Sequence, residues 1–150
     1  MKVRGIAGLR GLGGTRLGPT EWHEVTQDQV NTFADATGDH QWIHVDPARA
    51  ATGPFGGTIA HGYLTLSLVI PLWTDLLVIE DLGMGVNYGL NKVRFPSPVP
   101  VGGKIRLSAR IAAADTLDEN SVQLTVDFTV ELAGSEKPAV AAQALYRYYA

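Results

Sequence analysis

Apolar and polar residues alternate along much of the second half of the chain. The segment 121–132 keeps this alternation for twelve residues, with Val122, Leu124, Val126, Phe128, Val130 and Leu132 on one side. A period of two is typical of a strand with one buried and one solvent-exposed face. The same pattern, or a shorter form of it, predicts strands over 22–25, 86–95, 104–111 and 140–149. Turn-rich links at 115–120 and 134–138 join the last three strands, which indicates an antiparallel sheet.

A different pattern covers residues 59–79, where Asp75 is the only full charge in 21 residues. A helix of this length would match the thickness of a bilayer core. However, Pro71 lies inside the segment, and acidic residues follow it where a membrane span typically has Lys or Arg. We therefore predict a helix that is apolar on nearly all sides and buried in protein.

These two patterns together predict the fold class. The apolar face of a sheet must pack against another element, and a helix that is apolar on all sides must be surrounded by protein. The right-handed twist of a sheet lets several strands curl around one long helix. We expect an α+β fold in a single domain, residues 1–150, because this length is typical of one domain. Residues 1–19 contain five glycines between positions 5 and 14, and we expect them to form a flexible lead-in.

Composition narrows the possible functions. Charged residues make up 18% of the chain, below the usual value of about 25%, and the net charge is −3. This balance predicts no nucleic-acid partner and no attraction to an anionic membrane. Cysteine is absent, which excludes a thiolate nucleophile and a disulfide framework. The N-terminal residues lack the apolar core of a secretory signal, and we expect a cytoplasmic protein.

Proton-handling residues are concentrated in a short stretch between two predicted helices. Thr26 and Gln29 form a capping-box pattern that opens the first helix, and Asp46 followed by proline opens the second. The stretch 39–45 between them contains Asp39, an amide and two imidazoles, one of them His44. Groups of this kind are suited to general acid–base catalysis. We expect no metal, because a loop does not place His residues four apart on a common face and no HExxH pattern is present.

A glycine-rich segment, residues 54–62, precedes the long apolar helix. The first N–H groups of a helix have no partner within it and can bind an oxyanion. Gly62 carries no side chain and would leave room for a thioester or a similar carbonyl group. His61 is expected to have a structural hydrogen-bonding role. A carbonyl-polarising N–H group beside an acid–base pair is suited to adding water to an activated double bond, or to removing it.

At this point the residues resemble a known family. The sequence Gly-Asp-His-Gln-Trp-Ile-His-Val-Asp-Pro at 38–47 is similar to the hydratase-2 motif, glycine-aspartate-x-asparagine-proline-leucine-histidine-x-aspartate-proline. Residues 55–62 resemble the phenylalanine…isoleucine-x-histidine-glycine segment that follows the motif. Residues 87–95 and 98–102 look like those of the single-domain MaoC-like dehydratases, mycobacterial members included. The resemblance covers roughly residues 20–150 and implies the hotdog fold, with five antiparallel strands around a central helix.

The resemblance also implies an activity and a set of site residues. The family hydrates trans-2-enoyl-CoA thioesters to (R)-3-hydroxyacyl-CoA without a metal or other cofactor, and dimers are usual in it. By position, Asp39 and His44 match the catalytic pair, and Gly62 matches the oxyanion donor. The residues expected to bind substrate are Gln41, Tyr63, Asn87, Tyr88, Gly89 and Arg94, the last through a CoA phosphate.

The sequence departs from the motif at two positions and leaves two other functions open. Gln41 stands where many hydratases have asparagine, and Trp42 stands where they have proline. A hotdog thioesterase would instead release free thiol from acyl-CoA. A non-catalytic acyl-CoA-binding or partner subunit would bind the thioester without turnover.

Overall fold

The computed structural model describes residues 1–150 and contains six helices and eight strands. The helices are α1 (Gly5–Leu9), α2 (Gln27–Thr37), α3 (Trp42–Val45), α4 (Pro47–Ala50), α5 (Gly62–Ser67) and α6 (Val69–Leu76). The strands are β1 (Lys2–Arg4), β2 (Arg16–Leu17), β3 (His23–Glu24), β4 (Val78–Glu80), β5 (Met84–Arg94), β6 (Lys104–Asp118), β7 (Ser121–Leu132) and β8 (Val140–Tyr149). The predicted α+β class with an antiparallel sheet is confirmed.

The main sheet has six strands rather than the expected five. Its order is β2-β6-β7-β8-β5, and β3 pairs with β6 beside β2, so two short strands share one edge of the sheet. The predicted bounds of β7 and β8 are confirmed, and β5 and β3 lie within two residues of prediction. The link predicted at 115–120 is present but shorter, residues 119–120, because β6 continues to Asp118 and Asp115 pairs with Gln123 of β7. Cross-strand pairing overrides the local turn preference here.

The long apolar helix predicted over 59–79 is in fact two shorter helices. Helix α5 begins at Gly62, and the chain leaves the helix at Leu68 before α6 begins at Val69. Pro71 explains the break, since it has no N–H group to donate to Ser67 and its ring crowds that carbonyl. Burial is also less complete than expected, because the side chain of Tyr63 is 73% exposed. No helix in the structure is both long enough and apolar enough to cross a membrane.

The N-terminal segment is also different from the expected lead-in. Strand β1 pairs in parallel with β4, and Ile6, Leu9 and Leu12 are buried in the hydrophobic core. The N-terminal amine donates to the carbonyl of Leu76 at 2.8 Å, at the end of α6. The glycines between positions 5 and 14 suggested flexibility, but the apolar residues between them bury enough surface to fix the segment in place.

The core lies between the concave face of the sheet and the α5–α6 helices. The buried side chains of Trp73, Phe128, Tyr146 and Tyr148 pack as an aromatic cluster, with ring centroids 5.5–6.4 Å apart. The indole N–H of Trp73 donates to the hydroxyl of Tyr148 at 2.9 Å. Burial raises the pKa of Tyr146 and of Tyr148, so both phenols remain neutral.

Candidate active site

The loop that carries Asp39 and His44 is fixed at both ends by helix caps. Thr26 and Gln29 form the predicted capping box at the start of α2. Gly38 ends that helix with φ at +81°, a left-handed conformation that glycine adopts without strain. At the other end, the Asp46 carboxylate accepts a hydrogen bond from the N–H of Arg49 and caps α4. The chain therefore has little freedom over residues 39–45.

His44 lies in the short helix α3 with its ring held in one orientation. The side chain is 6% exposed, and its Nδ1 lies 2.7 Å from the carbonyl oxygen of Ile59. Because a carbonyl oxygen only accepts, Nδ1 carries a hydrogen and Nε2 of the neutral ring has a free lone pair. This is the form of imidazole that can take a proton from water.

The backbone around His44 is supported from α2. The amide of Gln27 donates to the carbonyl of His44 at 2.8 Å and accepts from the hydroxyl of Thr58 at 2.7 Å. The N–H of Ile59 also donates to the carbonyl of Ile43. Gln27 and Thr58 were not among the residues expected in the site. No local pattern marks them, since their partners lie 17 and 31 residues away along the chain.

Asp39 and His44 are brought together, and a third residue joins them. A carboxylate oxygen of Asp39 and a ring nitrogen from each of His44 and His61 lie within 4.8 Å of one another. The Asp39 side chain is 53% exposed, whereas both imidazoles are buried. His61, expected only to have a structural role, is therefore part of this cluster. In the sequence, the sign that His61 could belong to the site was its position directly before Gly62, the expected oxyanion donor.

A carboxylate with two imidazoles is a common set of metal ligands, but the ring geometry does not fit one ion. The rings of His44 and His61 are stacked, with centroids 3.9 Å apart and planes inclined by 25°. The lone pair of an imidazole nitrogen lies in the ring plane, so nearly parallel rings do not direct two lone pairs at one point. In addition, Nε2 of His61 lies 2.9 Å from the carbonyl oxygen of Asp39 and donates to it. The arrangement suits proton transfer better than metal binding.

Gly62 opens α5 at the wall of a cavity that also contains His44. The cavity has a volume of about 320 Å³, and its lining is mainly apolar. As the first residue of the helix, Gly62 has no acceptor for its N–H group within α5. The ring of Phe95 faces the α-carbon of Gly62, since a β-carbon added there would lie 3.4 Å from it. One cavity thus combines an imidazole with an N–H group that has no helical partner.

The residues predicted to bind substrate do not form one cluster. Asn87 and Gly89 line a second cavity of about 420 Å³ between the α5–α6 helices and β5, with Tyr146 also in its wall. The ring of Tyr88 lies on the other side of the strand, with the Arg147 guanidinium 3.3 Å from its centroid.

The other predicted substrate-binding residues lie at the rim or on the surface. Gln41 is exposed at the start of α3, and its N–H donates to Asp39 at 3.4 Å. Tyr63 packs edge-on against Phe95 with centroids 6.3 Å apart. Arg94 is exposed and lines a surface depression with Lys92.

Comparison with known proteins identifies the family. Residues 12–132 match the MaoC like domain. The chain belongs to the MaoC-like dehydratase family. It is 50% identical over 145 residues to 3-hydroxyacyl-thioester dehydratase Z of Mycobacterium tuberculosis, covering 97% of this chain and 96% of that protein. The family and this relative make the protein an enzyme of the hydratase–dehydratase class.

Solved structures of this family share the fold. The (R)-hydratase from A. caviae, described as involved in PHA biosynthesis, superposes with a TM-score of 0.68 at 25% identity, covering 89% of this chain and 94% of that one. The HadBC (3R-hydroxyacyl-ACP dehydratase) complex from Mycobacterium tuberculosis superposes with a TM-score of 0.71 at 16% identity, covering 91% of this chain and 96% of that one. This second match shows a chain of the same fold in a complex with another chain.

Trp42, which stands where many hydratases have proline, lies outside the cavity that holds His44 and Gly62. The Trp42 ring packs against Gly53, where an added β-carbon would lie 2.9 Å from it, and the Arg49 guanidinium lies 4.4 Å from its centroid. Trp42 is absent from the lining of the cavity that holds His44 and Gly62. This departure from the family motif therefore adds no side chain to the wall of that cavity.

Proposed function

We propose that the protein hydrates trans-2-enoyl thioesters of coenzyme A to (R)-3-hydroxyacyl thioesters, or catalyses the reverse dehydration. The observation that carries this proposal is the proximity of the Asp39 carboxylate and the His44 imidazole, with His44 and Gly62 lining the same cavity. Water addition involves no net oxidation or reduction, so the proposed reaction needs no redox cofactor.

The roles of the residues follow from their chemistry. Asp39 and His44 activate a water molecule by removing a proton as its oxygen attacks C3, and the pair delivers a proton to C2. Charge that develops on the thioester oxygen during attack is stabilised by the N–H of Gly62. The stacked and hydrogen-bonded ring of His44 loses little freedom when substrate binds.

Further contacts to substrate are proposed along β5. The second cavity, bordered by Asn87 and Gly89, is lined mainly by apolar residues and would take the acyl chain. Arg94 would meet a phosphate of CoA, because a guanidinium binds phosphate in a bidentate geometry. Gln41 and Tyr63 would line the entrance to the site, whereas Tyr88 lies on the opposite face of β5 from the second cavity and is given no contact to substrate.

Hydration of enoyl-CoA thioesters across a series of chain lengths, with chiral analysis of the product, tests the proposal. We expect the (R)-product, and we expect Asp39→Asn and His44→Asn each to lower kcat about 10²–10⁴-fold. Asp35→Asn is the matched control, since Asp35 is an exposed carboxylate that pairs with His40 outside the cavity. Full activity in both site variants would exclude the mechanism. Release of free thiol by the wild-type protein would identify a thioesterase instead.

We also propose a homodimer formed through β5. This strand is at the edge of the sheet and has unpaired backbone groups on one side. Met84, Val86, Tyr88 and Leu90 are each 39–54% exposed along it. Exposed apolar side chains on an open edge are typical of a protein interface. Light scattering of the wild type should give twice the chain mass, and Leu90→Asp should give a folded monomer. A wild-type monomer at micromolar concentration would exclude this dimer.

The cytoplasmic location remains a prediction.

A further inference from the structure

His61 is held between two other rings in the centre of the site. Its ring is stacked on His44 at 3.9 Å on one side and is 4.8 Å from the ring of Phe33 on the other. The side chain is 3% exposed. It therefore contributes no surface to solvent and does not line the cavity that contains His44 and Gly62.

The polar atoms of this ring are only partly satisfied. Nε2 donates to the backbone carbonyl of Asp39 at 2.9 Å and lies 3.9 Å from its carboxylate. Nδ1 is fully buried and has no hydrogen-bond partner. Burying an unpaired polar atom is unfavourable, and such groups in folded proteins are uncommon. An apolar residue of similar shape would fill the same space without that cost, so stability alone does not explain an imidazole here.

The same residue is rigidly attached to the start of α5. Its backbone carbonyl accepts from the N–H of Thr65 at 3.1 Å and from the Thr65 hydroxyl at 3.3 Å. Gly62 is the next residue in the chain. One side chain thus connects the backbone of Asp39 to the helix that carries the Gly62 N–H, while its ring face supports His44.

We propose that His61 is a positioning residue that fixes Asp39 and His44 relative to the N–H of Gly62. This inference rests on the proposed hydration. The Nε2–H bond to Asp39 sets the distance between the carboxylate and α5, and stacking sets the plane of the His44 ring. Geometry of this kind affects the chemical step more than substrate binding, because the three groups must act on one thioester at the same time.

The test compares His61→Gln, which keeps a side-chain N–H donor of similar reach, with His61→Leu, which removes it. We expect His61→Leu to keep its melting temperature and a KM within about threefold of wild type while kcat falls by 10-fold or more, up to about 10²-fold. His61→Gln should recover most of that loss. Phe33→Leu is the packing control, since it removes the outer ring contact and keeps the hydrogen bond.

Several results would overturn the proposal. The first is an unchanged kcat in His61→Leu. The second is an equal fall of kcat in His61→Gln and His61→Leu. The third is a rise of KM in His61→Leu with no change of kcat. A further readout is independent of turnover: the ¹H–¹⁵N spectrum of the histidine rings should show His61 with its hydrogen on Nε2. A hydrogen on Nδ1 would overturn the proposal even if His61→Leu does not fold. If the wild type hydrates no enoyl thioester, the proposed function is wrong. The spectrum of the histidine rings still shows whether His61 Nε2 carries the hydrogen that it donates to the carbonyl of Asp39.

Discussion

Gly62→Ala separates the fold from the proposed chemistry more cleanly than any other single change. The backbone of Gly62 is outside the left-handed region, and an added β-carbon would lie 3.4–3.5 Å from three atoms of the Phe95 ring, an ordinary contact distance. The methyl group therefore fits without displacing Phe95. It does, however, occupy the cavity wall beside the N–H group proposed to bind the thioester oxygen.

The two consequences differ in sign and size. Alanine in place of glycine at a helical residue stabilises by up to about 1 kcal/mol, so unfolding should be unchanged or slightly harder. If the methyl group keeps the carbonyl away from the N–H, the transition state loses one oxyanion donor. Loss of one such donor costs about 2.7–4 kcal/mol of transition-state stabilisation, or about 10²–10³-fold in kcat. We therefore expect kcat/KM of Gly62→Ala to fall by at most about this factor.

Thermal unfolding and enoyl-thioester hydration kinetics measure both quantities on the same sample. Gly57→Ala is the matched control, because it lies in the same glycine-rich segment, has no heavy atom within 4 Å of the added β-carbon and does not line the cavity. We expect the control to keep wild-type kcat/KM. A Gly62→Ala protein that keeps kcat/KM within about threefold of the control would refute the assignment of this N–H group to the thioester oxygen.

Two predictions concern other parts of the molecule. Tyr148→Phe leaves the buried indole N–H of Trp73 unpaired and should cost about 1–3 kcal/mol of unfolding free energy. The double variant with Trp73→Phe should lose less unfolding free energy than the sum of the two single losses, by at least about 0.5 kcal/mol. Denaturant unfolding at fixed chain concentration measures these losses. Additive losses would refute the hydrogen bond. The hydrogen bond that the His40 ring donates to the Asp35 carboxylate raises the pKa of His40 above its ordinary value of 6.5. The pair therefore stabilises the fold below pH 6.5, where His40 is charged, and this contribution is lost as the pH rises through the raised pKa of His40. In an NMR titration, Asp35→Asn should lower the midpoint at which His40 loses its proton. An unchanged His40 midpoint would contradict the pairing.

Local patterns predicted the elements that depend on neighbours in sequence. The strands at 121–132 and 140–149, the capping box at Thr26 and the cap at Asp46 are found where they were expected. Each depends on a period of two or on a contact within three residues, which the sequence displays directly. Asp39 and His44 were singled out in the same way, since both lie in the short segment between α2 and α4, although residues 42–45 form the helix α3 rather than the expected loop.

The errors arose where distant contacts decide the structure. The N-terminal glycines gave no indication that Ile6 and Leu9 would be buried or that β1 would pair with β4. His61 is 22 residues from Asp39, so its hydrogen bond to that residue could not be predicted from spacing alone. The central helix was predicted too long for a local reason: its apolar composition outweighed the effect of Pro71, which has no N–H group to donate to the carbonyl of Ser67.

The edge strand β5 contains two register shifts, one between Asn87 and Gly89 and the other between Leu90 and Lys92. Irregularities of this kind bend a strand and increase its twist, so a regular flat strand cannot pair along the whole edge. A strand that pairs with this edge has to follow the same bends to keep its backbone hydrogen bonds. The two bends therefore make this open edge a poor template for the addition of an arbitrary extended strand.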